Sequence, residues 1–212
     1  MMFAAAEDLL RGDVAATPSP NACMAVGAAG CALAGLALGG ASGEVWLAVF
    51  AAIKVPMLLG LTACFCLPFF YVLNTVLGLN ADFAAACRGL VAAQATFGIA
   101  IGALAPVNVF LSLSVADPYA LTLLDGVLFA AATLAGQQVL RRHYRPLVER
   151  DERHRLALRA WFVLFVFAGV QMAWVLRPFR GTEGFPIAFL RAEAFEQNAY
   201  LVLIEHAMRL GR

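Results

Sequence analysis

Five long apolar runs, separated by short polar breaks, set the pattern of the chain: 22–40, 56–78, 84–113, 118–140 and 158–176. About 20 apolar residues are enough for a helix to cross a ~30 Å hydrocarbon layer. The pattern therefore predicts an all-α, polytopic transmembrane bundle of about five spans (22–176), preceded by a segment 1–21 and followed by a tail 177–212. Between the last two runs lies the one long hydrophilic island, RRHYRPLVERDERHRLALR at 141–159, with seven of the fifteen basic residues. Such a segment cannot stay in hydrocarbon, and the positive-inside rule makes it cytoplasmic. Alternation from that Arg-rich loop (141–157) gives a cytoplasmic N-terminus and puts the tail outside.

The second run is awkward, because apolar character begins at Val45 and continues to Leu79. As one helix it would reach ~52 Å, longer than the bilayer with its headgroups. The sequence predicts a break before Pro56, since proline suits the first turn of a helix. Residues 44–53 then form an interfacial or re-entrant helix, with Lys54 and Val55 as the bend and Pro68 kinking the span. In the tail, Phe195, Ala199, Val202, His206 and Leu210 follow helical spacing and predict an amphipathic helix on the membrane.

Small and polar residues repeat on the spans. Gly27, Cys31, Gly35 and Gly39 recur every fourth place, a ladder suited to close packing inside the protein or against a second copy or another membrane subunit. Gln94, Gly98, Gly102, Ala105, Asn108 and Ser112 form a stripe on the third run; Thr122, Asp125, Thr133 and Gly136 form one on the fourth. Such stripes are expected to face the bundle interior. Trp161 and Trp174, near the ends of the fifth run, fit an aromatic belt.

Composition agrees: 62% of residues are hydrophobic and 14% charged, against about 45–50% and about 25% in soluble domains. A net charge of +1 offers no footprint for nucleic acid. The five cysteines all fall in apolar runs, and Cys64 and Cys66 point to different faces of a helix, so neither a bridge nor a metal site is expected. His143 and His154 fall in the solvated island and need no further role. No hydrolase, nucleotide or metalloprotease signature is present, so no enzyme, cofactor or metal is expected. Alanine-, glycine- and arginine-rich usage suggests a bacterial inner-membrane protein with membrane lipids as its neighbours.

Asp125 is the residue that stands out. It lies ~12 Å below Asp117 by helical rise, and Asn108 and Gln171 come to ~9–10 Å from the same side. An intramembrane carboxylate marks a functional site by default. Two readings stay open: a site with Lys54 as its cation, or packing glue hydrogen-bonded to Asn108 or Thr122. Lys54 itself either dips into the membrane or snorkels to the headgroups. Gln94 and Gln171 read best as interhelical hydrogen bonds.

Two strings, AAIKVPMLLGLTACFCLPFFYVLNTVLG (51–78) and VQMAWVLRPFRGTEGFP (170–186), resemble a family of uncharacterised bacterial multi-pass membrane proteins, described as Yip1-like or as WH2 actin-binding proteins. Pro56, Trp174, Arg177 and Pro178 are its signature positions here, and no actin-binding motif accompanies them. The resemblance implies a five-helix bundle with a scaffolding or membrane-shaping role. Three functions follow in order: a non-enzymatic scaffold or assembly subunit, a small channel or ion/proton pathway past Asp125, Asn108 and Gln171, and last an enzyme acting on lipid.

Overall fold

The computed structural model describes residues 6–9, 17–177, 179–180 and 189–190. Beyond the first residues its helices are α1 (Pro20–Gly40), α2 (Val45–Val76), α3 (Phe83–Ala103), α4 (Ala105–Ser114), α5 (Pro118–Arg150) and α6 (Arg153–Leu176), with a 3₁₀ turn at Asn80–Asp82 before α3. Five of these are long and apolar enough to cross a membrane, and α4 is too short. The all-α, five-span expectation holds.

At the centre lies α1, packed along both α2 and α3. It starts where Pro20 occupies a first-turn position, whose missing N–H costs nothing, and where the Ser19 hydroxyl accepts from the Ala22 N–H at 3.4 Å. Its glycine face is buried. A methyl group on Gly27 would stand 2.8 Å from the Ala95 Cα of α3, and one on Gly39 would stand 2.5 Å from the Leu47 carbonyl of α2. Gly35 meets the Ala51 carbonyl in the same way. Lipid tails are as apolar as leucine, so helices in a bilayer associate through this kind of close packing. The ladder is therefore used within the chain, and Gly27, Gly35 and Gly39 offer no surface to a second copy.

The second run is not broken. Its α2 is one helix of 32 residues with Pro56 and Pro68 inside it, so there is no separate helix at 44–53 and no bend at Lys54 and Val55. An interior proline costs ~3 kcal/mol, and packing of Leu47 and Ala51 into the glycine notches of α1 offsets that on the N-terminal side of Pro56. The helix stops at Gly78, whose φ of 76° suits glycine. There the Gly78 N–H bonds the Thr75 carbonyl at 3.1 Å and the Leu79 N–H bonds the Asn74 carbonyl at 2.8 Å, a Schellman cap.

The break falls in the third run instead. It divides at Leu104 into α3 and α4, with Pro106 in the first turn of α4. Pro106 has no N–H for the Gly102 carbonyl. Gly98 and Gly102 hold α3 against Gly27 and Gly30, and the helix divides just beyond them.

The arginine-rich island is not a loop either. α5 continues to Arg150 and α6 begins at Arg153, leaving only Asp151 and Glu152 between them. Charge does not end a helix; water and headgroups solvate it, and Arg145 pairs with Glu149 one turn on at 3.0 Å. Trp161 is core rather than belt: 2% exposed, it meets Phe70 edge-on at 5.1 Å and stacks on Phe165 at 5.6 Å. The tail helix expected over 195–210, and Pro178, lie outside the described residues.

Candidate functional site

The break at Leu104 places the site. Asn108 and Ser112 are one turn apart on α4 and so share a face; the Ser112 hydroxyl donates to the Asn108 carbonyl at 2.7 Å. That face meets Asp125 of α5, where the Asn108 amide donates to Oδ1 at 2.6 Å. The cation is Arg180. Its Nε donates to Asp125 Oδ2 at 2.6 Å and its Nη2 to Oδ1 at 2.7 Å, a bidentate clamp. Nη1 donates to the Ser112 hydroxyl at 2.6 Å and Nη2 also to the Asn108 Oδ1 at 3.1 Å. Asp125 and Arg180 are only 17% and 18% exposed.

Lys54 is not the partner. It is fully buried, which also rules out snorkelling, and its Nζ stands 5.2 Å from the Phe189 ring centre. Phe189 in turn meets Phe50 edge-on at 5.5 Å, and Phe179 packs on the cluster of Cys31, Val55 and Phe97. So the described residues beyond α6 lie back over one end of the bundle, fastened by Arg180 and by two phenylalanines. Arg177 starts that return, its guanidinium 3.3 Å from the Trp174 ring centre.

Of the predicted site, Asp125 and Asn108 come together, while Lys54 and Gln171 make no hydrogen bond to that pair. Thr122 bonds the Pro118 carbonyl of its own helix. The long stripe is divided as well: Gly98 and Gly102 serve α1, Asn108 and Ser112 serve the clamp, and Gln94 has no hydrogen-bond partner among the described residues. Beneath Asn108 lies a cavity of about 10 Å³, walled by Ala34, Val55, Ile101 and Leu128. That is room for about one water.

Sequence reasoning missed Arg180, which stands 55 residues from Asp125 in a tail with several arginines. The available signal was the cost of an unpaired carboxylate in hydrocarbon, which demands a cation from somewhere. It also missed a second polar knot at the arginine-rich end. There Asp82, before α3, accepts from Arg150 Nη1 at 2.8 Å and lies 3.3 Å from Nε2 of His154, which is fully buried rather than solvated. Arg153 Nη1 donates to the Leu77 carbonyl at 3.2 Å. His143 is bound too, its Nδ1 donating to the Val139 carbonyl and its Nε2 facing the Thr17 hydroxyl, both at 3.0 Å.

Fold and site together define an all-α, multi-pass membrane protein with a network of polar side chains at each end of the bundle. Comparison with models of known protein families, with characterised proteins and with solved structures gives no match to this chain.

Proposed function

We propose that this protein is a non-enzymatic membrane scaffold or assembly subunit, with the Asp125–Arg180 clamp as the fastening that closes one end of its bundle. The observation that carries this reading is that both carboxylate oxygens of Asp125 are bonded by groups of the chain itself. A carboxylate on an ion or proton path must exchange those bonds for water or cargo, and the adjoining void is apolar and water-sized. The channel reading therefore has less support. The two strings that resemble the Yip1-like family contribute Lys54 and Arg180 to this same end, which suits a scaffolding family. We place the arginine-rich hairpin in the cytoplasm of a bacterial cell and the clamp on the outer side, on the positive-inside argument.

Reconstitution into liposomes tests the choice. A scaffold leaves proton and potassium flux at the empty-vesicle level in wild type and in Asp125→Asn alike, while the substitution lowers thermal stability. Wild-type flux that Asp125→Asn abolishes without unfolding the bundle overturns the reading in favour of the channel.

A further inference from the structure

α6 packs mainly on α2 and turns Ala157, Trp161 and Phe165 inward. The opposite side of the helix carries Arg155, Arg159, Phe162, Val163 and Val166, all exposed and all on one face by helical spacing. The stripe changes character along its length, with two cations near the start of the helix and only apolar side chains beneath them. Neither arginine is used by the fold. Arg145 pairs with Glu149, Arg150 pairs with Asp82, and Arg153 donates to the Leu77 carbonyl. The Arg155 and Arg159 side chains have no partner among the described residues.

Depth indicates what surrounds them. Along the helix axis Arg159 stands ~26 Å and Arg155 ~32 Å from Leu176, the last residue of α6. The two therefore bracket the edge of a ~30 Å hydrocarbon layer. Helical side chains lean towards the N-terminus of their helix, which for α6 is the arginine-rich end, so both guanidinium groups reach back from the apolar stripe to the headgroup level. Two planar, permanent cations one turn apart suit the oxygens of a phosphate, and the phenylalanine and valines below suit acyl chains. A second copy or another span is a poorer occupant. Helices in a bilayer meet through small residues, and the one glycine of α6, Gly169, lies against Thr62 of α2 instead.

We propose that Arg155 and Arg159 form a surface site for the phosphate of an anionic phospholipid in the leaflet on the arginine-rich side, with the acyl chains lying along Phe162, Val163 and Val166. The positive-inside rule concerns orientation alone; the site assigns lipid contact to two particular arginines of the island. It is independent of the role given to the Asp125–Arg180 clamp.

Native mass spectrometry of the full chain in mild detergent, titrated with phosphatidylglycerol or phosphatidylcholine of identical acyl chains, tests it. Wild type is expected to bind phosphatidylglycerol more tightly than phosphatidylcholine. Arg155→Gln and Arg159→Gln are each expected to weaken phosphatidylglycerol by about fivefold, the equivalent of ~1 kcal/mol per arginine, and together by about 25-fold. Arg141→Gln removes the same charge from an exposed position on α5 without a partner among the described residues, and is expected to change the affinity by less than about twofold. A photo-crosslinker at Val163 leaves both arginines in place, so it reads the site even if a glutamine variant fails to fold. In liposomes holding both lipids it is expected to capture phosphatidylglycerol in preference to phosphatidylcholine. Equal binding of both lipids to wild type, a double variant that keeps wild-type affinity, or an equal loss in Arg141→Gln overturns the proposal. Capture of a second copy, or of both lipids alike, by the Val163 crosslinker overturns it equally.

Discussion

Replacing Arg180 by alanine removes four hydrogen bonds at once: two to the Asp125 carboxylate, one to Ser112 and one to Asn108. It leaves Asp125 with the single amide donor of Asn108. Breaking a fully buried ion pair costs about 3–5 kcal/mol, and an exposed pair contributes about 0–1. At 17% and 18% exposure this pair lies nearer the buried limit, and water at the rim screens part of the loss. Arg180→Ala is therefore expected to destabilise the bundle by about 2–3 kcal/mol. With about 2–4 °C per kcal/mol for a chain of this size, the melting temperature falls by about 5–10 °C. The informative measurement is a double-mutant cycle with Asp125→Asn in detergent, followed by thermal unfolding. Asp125→Asn leaves the guanidinium without its anion, so each single variant is damaged and the double variant is expected to be little worse than either. A coupling of at least ~1 kcal/mol is expected for residues in direct contact. Additive losses, or an Arg180→Ala chain that melts with wild type, would refute the clamp as the fastening of this end.

Three further outcomes follow from the packing. Gly98→Ala places a methyl group against the Gly27 carbonyl of α1 and is expected to cost about 1–3 kcal/mol by overpacking; Gly126→Ala, with nothing within 4 Å, is expected to be neutral or to stabilise by up to ~1 kcal/mol, both read by thermal unfolding, and equal effects would contradict the close α1–α3 approach. Gly78→Ala forces a side chain into a φ of 76° and is expected to cost about 1–2 kcal/mol in the same assay, with no loss if the Schellman cap is absent. Cys64 is exposed whereas Cys31 and Cys66 are buried, so a lipid-permeable maleimide is expected to label Cys64 in the folded chain and to reach Cys31 and Cys66 only after denaturation, as mass mapping will show.

The helices were legible because hydrocarbon imposes one simple demand, a run of apolar residues about 20 long, and the chain meets it five times. The joints were less legible, because a proline's effect depends on what holds the helix around it. Pro56 sits in a helix whose preceding turns are packed into the notches of α1, so the helix runs through it; Pro106 sits where the close glycine contacts with α1 give way to the lighter packing of α4, and there the helix divides. The same dependence misplaced the island: arginine density marks where a chain leaves hydrocarbon, but it says nothing of whether the helix stops there, and here two helices run on to a two-residue turn.

The site was half legible for a related reason. Depth counting brings Asp125 and Asn108 to one level because both lie on segments whose geometry is fixed by helical rise, and the structure joins them at 2.6 Å. No such rule reaches Arg180, which follows the last span in a segment without periodic constraint. Charge balance pointed only to Lys54, although a carboxylate below the membrane surface requires a cation and Arg177 and Arg180 also follow the last span in sequence. What separates them is packing. Lys54 is sealed against Phe189 and Arg177 stands over Trp174, so Arg180 alone of the three presents its planar fork to the carboxylate. Lysine in its place would keep the charge but lose the bidentate geometry. Arg180→Lys is thus expected to recover only part of the stability lost in Arg180→Ala, and full recovery would mean that charge alone, rather than the fork, closes this end of the bundle.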